Sequence, residues 1–201
     1  MAETLVDLGK AREQGLDDKT EHVLSELGEI DRAVYGTIAD TPSPSIDEPM
    51  RRLSNAANYS KLWIAAAAGI ALFGGKAGRH AAVTGLISIG VTSAIVNQGL
   101  KRLYPRARPD REGEEVPETR HVRMPDSTSF PSGHSASGFA FATAAGSQLP
   151  LTGGALRFLA AAVAYSRVHT GVHYPGDAVV GSLVGAGVGG TVAMAARRWG
   201  P

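Results

Sequence analysis

Two long segments without a formal charge constrain the fold of this chain more than any other feature. Residues 81–100 are 20 consecutive uncharged residues, and residues 178–196 are another 19. A helix of about 20 apolar residues is long enough to cross a hydrocarbon core of about 30 Å. Such runs are difficult to accommodate in a soluble domain of 201 residues. They therefore predict helices that cross a membrane, with a soluble bundle of buried helices as the alternative.

Other apolar segments extend this pattern. Three shorter ones cover residues 62–75, 133–149 and 155–165. We therefore predict an all-α fold, an integral membrane helical bundle with about five spanning helices and N-terminal amphipathic helices. The last helix carries Gly181, Gly185 and Gly189 at steps of four, a pattern that lets helices approach closely inside lipid. We expect this glycine stripe to face another helix.

The charge distribution divides the chain near residue 60. Residues 1–60 contain 12 acidic and 6 basic residues, a net charge of −6, whereas residues 61–201 have a net charge of +7. We therefore predict an acidic N-terminal region at residues 1–60 and a membrane-embedded domain at residues 61–201. The chain has no cysteine, which excludes disulfide bonds and cysteine-ligated metal. The first long apolar stretch begins near Leu62, so we expect no signal peptide.

The acidic region contains a helical pattern between residues 21 and 35. Its apolar side chains recur on one helical face, at Val23, Leu24, Leu27, Ile30 and Val34. This spacing predicts a helix that packs against the domain. A helix lying on the membrane surface is the alternative, although its acidic polar face disfavours binding to anionic lipid. A second short helix is expected from Asp47 to about Asn58.

Three short segments carry groups suited to phosphate chemistry. They read Lys101-Arg102-Leu103-Tyr104-Pro105-Arg106-Ala107-Arg108-Pro109, Pro131-Ser132-Gly133-His134, and Ser166-Arg167 followed by His173 and Asp177. Arginine can bind two phosphate oxygens at once, and backbone N–H groups at the start of a helix attract an anion. The long polar segment from Arg102 to Phe130 joins the first motif to the second, so we expect it to border the site entrance.

The segments resemble the three signature motifs of the type 2 phosphatidic acid phosphatase (PAP2) family, KxxxxxxRP, PSGH and SRxxxxxHxxxD. Every signature position matches, in order, within residues 101–177. The resemblance implies a membrane phosphatase that hydrolyses a lipid phosphate or pyrophosphate through a phosphohistidine, without a metal or another cofactor. Candidate substrates are phosphatidic acid, phosphatidylglycerol phosphate and polyprenyl phosphates or pyrophosphates, including a polyprenyl lipid that carries a sugar phosphate.

The resemblance also implies a role for each signature residue. His173 is the nucleophile, Asp177 holds its ring in the donor tautomer, and His134 protonates the leaving oxygen. The phosphate is expected to be bound by Lys101, Arg108, Ser132, Gly133 and Arg167. Arg106, at a variable position of the first motif, is a further candidate for a phosphate contact. His169 fits no signature position and is interpreted as a supporting or structural residue.

The three cations can converge only if their helix ends lie on one side of the membrane. We expect the helix at 81–100 to run toward the site, 133–149 away from it, 155–166 back and 178–196 away again. Basic residues at the opposite ends favour an external active site, in the plasma membrane. The expected partners are the lipid phosphate and the bilayer, with no nucleic acid; the sequence defines no oligomeric state.

Two other functions use the same motifs. Vanadate-dependent haloperoxidases resemble the same motif set, but they are larger soluble enzymes, and the uncharged run at 81–100 disfavours that assignment. A non-catalytic lipid-phosphate binder would be expected if a catalytic position were substituted, but His134, His173 and Asp177 are all intact. A metal site made of these three residues is disfavoured because the adjacent cations repel a divalent metal.

Overall fold

The fold is built from helices. The computed structural model describes the backbone of residues 2–199 and the side chains of residues 19–198, and this part of the chain contains no β-strand. The helices are α1 (Ala2–Asp40), α2 (Pro44–Ala56), α3 (Lys61–Phe73), α4 (Gly75–Ala94), α5 (Lys101–Leu103), α6 (Gly133–Gly146), α7 (Pro150–His169) and α8 (Pro175–Trp199). A π-helical segment, Ile95–Leu100, joins α4 to α5, and 3₁₀ turns cover Asn58–Ser60 and Glu118–Arg120. The predicted all-α class is confirmed.

Helix α6 is the central helix of the bundle. It packs against α4, α7 and α8, and most of its residues, which are mainly Gly, Ala and Ser, are buried. Small side chains let neighbouring helix backbones approach closely. Phe141 of α6 packs on Trp63 of α3, with ring centroids 5.7 Å apart, in the main apolar cluster. The small residues of α6 therefore set the spacing of the helices that surround it.

The glycine stripe on α8 faces α6, as the sequence predicts. A Cβ atom at each glycine would collide with the backbone of α6 or of Ser132, which caps that helix; the pairs are Gly181 with Ser132, Gly185 with Ala136, and Gly189 with Ala140. Glycine at these positions brings the two helices into backbone contact. Because Ser132 belongs to the second motif and α8 starts just after His173, this contact also fixes the relative position of two motif segments.

Two helices are long and apolar enough to cross a membrane, Gly75–Leu103 and Pro175–Arg198. Large apolar side chains also cover the outside of the bundle, and more than half of each is exposed at Leu72, Phe73, Val83, Leu151, Phe158 and Leu183. Apolar surface of this extent is expected against lipid or a partner rather than water. Together these features indicate an integral membrane protein.

The prediction of about five spanning helices is not confirmed. Helix α3 has 13 residues and α6 has 14, so each is about 20 Å long at 1.5 Å per residue, shorter than a hydrocarbon core. Helix α7 has 20 residues but contains Arg157 and Arg167. An uncharged sequence does not reveal whether a helix is covered by lipid or by other helices, and α6 is covered by other helices.

Helix α1 packs against the domain, as predicted, but not through its apolar face. Its side chains are 44 % to 62 % exposed, at Val23, Leu24, Leu27, Ile30 and Val34. Helix α1 instead contacts α7 and α8 near its C-terminal end, where Tyr35 and Ala39 are buried beside Val168 and Ala178. The alternative position, on the membrane surface, stays a prediction. The predicted domain boundary near residue 60 also stays a prediction and falls in the 3₁₀ turn Asn58–Ser60.

A buried ion pair connects α2 to the long polar segment. Arg120 Nε donates to Asp47 Oδ1 at 2.8 Å, and His169 Nε2 lies 2.9 Å from the same oxygen. Burial raises the pKa of Asp47, but hydrogen bonds with Ser43, His169 and Arg120 outweigh it and hold that pKa below its usual value. His169 therefore joins α7 to α2, which agrees with its interpretation as a structural residue.

Candidate active site

The three motif segments meet at one end of the bundle, where α5 and α7 end and α6 and α8 begin. The N–H of Ser132 donates to the carbonyl oxygen of Asp177 at 2.9 Å. Arg108 Nη1 donates to the carbonyl oxygen of Val172 at 2.5 Å and lies 3.4 Å from Nε2 of His173. The helices therefore run toward and away from the site as predicted.

A cavity of about 300 Å³ opens at this end. Its walls include five of the predicted site residues, namely Lys101, Arg108, Gly133, His134 and His173. Ser132, Arg167 and Asp177 are also close by, but each is no more than 1 % exposed. Polar residues outside the motifs complete the lining, among them Ser60, Ser93, Asn97, Ser127 and Ser137. The structure thus brings the motif residues together around one polar cavity.

The two ring nitrogens of His173 have different surroundings. Nε2 lies beside Arg108, whereas Nδ1 lies 3.5 Å from Asp177 Oδ2 and 3.3 Å from Ser129 Oγ. Ser129 donates its hydroxyl to that same oxygen of Asp177. A carboxylate and a hydroxyl next to Nδ1 favour the tautomer with the hydrogen on Nδ1. The lone pair then lies on Nε2, which is the nitrogen next to the cation.

The protonation of His173 is governed by its burial. Its side chain is 1 % exposed. Burial lowers the pKa of His173 to about 4; the carboxylate of Asp177 opposes this shift, and the charges of Arg108 and Arg167 add to it. The imidazole is therefore neutral near pH 7, the state in which one ring nitrogen carries a lone pair.

Ser127 holds the first two cations in place. Lys101 Nζ donates to Ser127 Oγ at 2.8 Å, and Arg108 Nε donates to the Ser127 carbonyl oxygen at 2.9 Å. Arg108 Nη2 also donates to the carbonyl oxygen of Thr128 at 3.2 Å. The segment between the first and second motifs therefore forms a wall of the cavity, as its position in the sequence predicts.

Arg167 lies inside α7 rather than just beyond it, which corrects the sequence-based expectation, because α7 continues to His169. Its Nη1 donates to Ser54 Oγ of α2 at 2.6 Å. Its Nε is buried and has no hydrogen-bond partner among the described residues. A buried donor left unpaired costs about 1–3 kcal/mol. This orphaned donor beside the cavity fits an anionic oxygen as its acceptor.

The second motif forms the start of α6. Ser132 Oγ accepts hydrogen bonds from the Ser135 N–H at 3.4 Å and the Ser135 hydroxyl at 3.0 Å, so it caps the helix. His134 Nε2 lies 2.9 Å from Asn58 Oδ1 in the 3₁₀ turn before α3. Neither Asn58 nor Ser129 was predicted from the sequence, because both lie outside the motifs.

Arg106 does not reach toward the cavity as a phosphate contact. Its Nη1 lies 2.7 Å from Asp31 Oδ2 of α1 and 2.9 Å from Asp177 Oδ1. Its guanidinium also stacks on the Tyr174 ring, 4.1 Å from the ring centroid. Two carboxylates and an aromatic ring therefore engage this cation.

Residues 82–200, more than half of the chain, match the PAP2 superfamily. The chain belongs to the PAP2 superfamily. The resemblance drawn from the three motifs is therefore confirmed. The matched region includes all three motifs and the helices α6, α7 and α8 that carry the second and third.

Among curated proteins, this PAP2 chain is similar to decaprenylphosphoryl-5-phosphoribose phosphatase of Mycobacterium tuberculosis, in strains CDC 1551 / Oshkosh and ATCC 25618 / H37Rv. The two sequences are 40 % identical over 97 residues, which are 46 % of this chain and 49 % of the relative. The chain therefore spans about half the length of the curated relatives it matches.

Two solved structures have a similar fold. Aquifex aeolicus LpxE superposes with a TM-score of 0.60 at 21 % identity, covering 83 % of this chain and 93 % of that one. A transmembrane PAP2 type phosphatidylglycerolphosphate phosphatase from Bacillus subtilis gives a TM-score of 0.57 at 22 % identity, covering 87 % of this chain and 86 % of that one. At these identities the similarity is one of fold.

Proposed function

We propose that this PAP2 protein is a phosphatase that hydrolyses a lipid phosphate in the membrane through a phosphohistidine. The arrangement at His173 carries the proposal. Its Nε2 lies 3.4 Å from the Arg108 guanidinium, while Ser129 and Asp177 contact the opposite side of the ring. A neutral ring nitrogen next to fixed cations is suited to attack a phosphorus atom whose oxygens those cations bind.

In the first step, His173 Nε2 attacks phosphorus, and an N–P bond forms as the P–O bond to the lipid breaks. Lys101, Arg108 and Arg167 neutralise the charge on the three oxygens that remain on phosphorus. The N–H groups at the start of α6 add a favourable dipole.

His134 supplies the proton for the departing lipid oxygen. Burial and the neighbouring cations lower the pKa of His134 well below its usual value in the free protein, and the negative charge of the bound phosphate opposes this shift, so His134 takes up a proton when the substrate binds. His134 then gives this proton to the departing oxygen, and Asp177 stabilises the positive charge on the substituted ring.

In the second step, water attacks the phosphorus of the phosphohistidine. His134 accepts a proton from this water, the N–P bond breaks, and its electron pair returns to His173 Nε2. One water is consumed for each lipid alcohol and inorganic phosphate produced. The cations of the site supply the electrostatic stabilisation, and the proposed reaction uses no metal or other cofactor.

For the substrate we propose a polyprenyl lipid that carries a sugar phosphate. Support comes from the 40 % identity with a phosphatase named for decaprenylphosphoryl-5-phosphoribose. The cavity also offers hydroxyl and amide groups at Ser60, Ser93 and Asn97, which suit hydroxyl groups between a phosphate and a lipid chain. We further propose a plasma membrane location with an external active site, in line with the distribution of basic residues.

The function is tested with the purified protein in detergent and a panel of lipids. The panel holds phosphatidic acid, phosphatidylglycerol phosphate, a polyprenyl phosphate, a polyprenyl pyrophosphate and a polyprenylphosphoryl ribose 5-phosphate. We expect inorganic phosphate release to be fastest with the last, and His173→Ala to abolish it. Equal release by the wild type and His173→Ala, or no release from any lipid, would reject the proposal.

The orientation is tested by chemical labelling. Because the chain has no cysteine, a single cysteine at the exposed Glu112 can be labelled without background. An impermeant maleimide should label Glu112→Cys in intact cells if the active site is external. Labelling only after the membrane is opened would place the site in the cytoplasm.

A further inference from the structure

Helix α1 reaches the candidate active site through one carboxylate, that of Asp31. Its Oδ2 lies 2.7 Å from Arg106 Nη1, and its Oδ1 accepts the N–H of Gly176 at 2.6 Å. The Asp31 side chain is 11 % exposed. A Cβ atom at Gly176 would lie 2.9 Å from Asp31 Oδ2, so only glycine admits this approach. Asp31 therefore connects α1 both to the first motif and to the first turn of α8.

Arg106 bridges the carboxylates of Asp31 and Asp177. Its Nη1 is shared between the two carboxylates, at 2.7 Å from Asp31 and 2.9 Å from Asp177 Oδ1. Its guanidinium stacks on Tyr174, whose ring meets Tyr35 of α1 edge-on with centroids 5.5 Å apart. The cation is thus held by α1 on one side and by the segment next to His173 on the other.

The carboxylate of Asp177 is fully buried, and its two oxygens have separate partners. Oδ1 accepts from Arg106, whereas Oδ2 accepts from the Ser129 hydroxyl and from the Tyr174 N–H at 2.9 Å. A buried carboxylate must be compensated by charge and hydrogen bonds. Holding Oδ1 also fixes the rotation of the carboxylate, and therefore the direction in which Oδ2 meets His173.

We infer that Asp31 and Arg106 are positioning residues for the His173–Asp177 pair, which makes the N-terminal helix α1 a part of the working active site. The inference rests on the proposed phosphatase function. Arg106 supplies the counter-charge that keeps Asp177 ionised and turned toward His173. Asp31 keeps Arg106 in place and steadies the first turn of α8. Neither residue is expected to touch the substrate.

Several other charges surround the same pair and must be considered in any pH experiment. The charged and titratable groups that face it are Lys101 and Arg108 from the first motif, His134 from α6, Arg167 from α7 and Tyr174 next to His173. All of them remain in variants of Asp31 and Arg106. A change in the pH profile of such a variant therefore reports the loss of the Arg106 contact.

The test compares Asp31→Asn, Arg106→Lys, Arg106→Met and the double variant Asp31→Asn/Arg106→Met. In Asp31→Asn, the amide oxygen can still accept from the Gly176 N–H, but the side chain presents no charge to Arg106. We expect kcat to fall about 10-fold in Asp31→Asn and about 100-fold in Arg106→Met, with KM changed less than about 2-fold. The acid limb of kcat/KM should move up by about one pH unit in Arg106→Met, because a cation no longer opposes protonation of the pair.

Conservative and control variants separate positioning from general destabilisation. Arg106→Lys keeps the charge and should recover part of kcat. The double variant should be no slower than Arg106→Met, because Asp31 acts through Arg106. Glu29→Gln removes an exposed acid of α1 and should behave as wild type. Unchanged kcat and pH limb in both Asp31→Asn and Arg106→Met would overturn the inference, as would a higher KM at constant kcat.

A second measurement decides the inference without turnover. ¹⁵N-histidine NMR reports the tautomer of His173, whose signals are assigned by their loss in His173→Gln. We expect the wild-type ring to carry its hydrogen on Nδ1 and the two Arg106 variants and Asp31→Asn to show a shifted tautomer population. If wild type releases no phosphate from any lipid, the proposed function fails; unchanged His173 signals in the variants overturn the positioning role itself.

Discussion

Ser129 donates its hydroxyl to the carboxylate of Asp177, on the side of that carboxylate that faces His173. The hydroxyl oxygen lies 3.3 Å from His173 Nδ1, closer than the 3.5 Å between Nδ1 and the carboxylate itself. Both distances are longer than the usual range of about 2.7–3.2 Å for an N–H···O hydrogen bond, so the hydroxyl and the carboxylate face Nδ1 together. Ser129, His173 and Asp177 therefore form one group of three contacting side chains.

Ser129→Ala should lower kcat without changing the fold. The substitution removes one hydrogen bond to a buried carboxylate, a loss of about 1.5–3 kcal/mol or about 10- to 100-fold in rate. The control is Ser88→Ala, another buried serine, whose hydroxyl donates only to the carbonyl oxygen of Gly85. Phosphate release from the preferred lipid gives kcat for both. A full kcat in Ser129→Ala would show that Asp177 orients His173 unaided.

The two histidines should differ in their effect on the covalent intermediate. His173→Ala is expected to abolish turnover and phosphoenzyme formation together, since the N–P bond forms at this residue. His134→Ala is expected to slow turnover while phosphate is still trapped on His173, because proton transfer is lost. Rapid-quench labelling with a ³²P-lipid distinguishes the two. If His134→Ala lost the label while His173→Ala kept it, His134 would be the nucleophile and His173 the proton donor.

Phosphatase activity should survive chelation of divalent metals. Lys101 and Arg108 line the cavity, and the charge of Arg167 acts on His134 and His173, which line it too. Fixed cations therefore supply the stabilisation that a metal would give. We expect full activity in EDTA and inhibition by vanadate, which resembles a phosphoryl group in its transition state. Activity lost in EDTA and restored by Mg²⁺ would contradict the metal-free mechanism.

The buried His173 should make stability depend on pH. Its pKa is lowered from 6.5 to about 4 in the folded protein, so between these values the unfolded chain binds more protons. The stabilisation is then complete above pH 6.5 and is lost as the pH falls toward 4. One proton corresponds to about 1.4 kcal/mol for each pH unit. Unfolding midpoints of wild type should fall more steeply over this range than those of His173→Gln.

The sequence predicts the parts of the site that chemistry requires and misses those that depend on tertiary contacts. Lys101, Arg108, His134 and His173 are recognisable because they sit in motifs with fixed spacing. Ser129, Asn58 and Asp31 are single polar residues outside any motif. Only folding brings Ser129 and Asn58 to the histidines and Asp31 to Arg106. Their partners are as distant as the 145 residues between Asp31 and Gly176.

The same distinction holds for the helices. Composition identifies residues 81–100 and 178–196 as long enough to span the membrane, because no charge interrupts these runs, and both runs lie in the helices Gly75–Leu103 and Pro175–Arg198. It does not show that α6 is covered by neighbouring helices, nor which face of α1 docks. Apolar side chains pack equally well against lipid and against protein, so hydropathy alone cannot separate the two environments.

Gly185→Leu should reduce both the stability of the protein in detergent and its turnover. A Cβ atom at this position would overlap the backbone carbonyl of Ala136 in α6, and no side-chain rotamer relieves a clash of Cβ with backbone. Overpacking costs about 1–3 kcal/mol or more, and α8 must move away from α6. Because α8 begins next to His173, a shift of about 1 Å there would cost roughly 100-fold in rate.

The matched control is Gly187→Leu on the same helix, where a Cβ atom meets nothing within 4 Å; it should keep wild-type stability and kcat. If Gly185→Leu matched this control in thermal unfolding and phosphate release, the contact between α8 and α6 would not position the nucleophile.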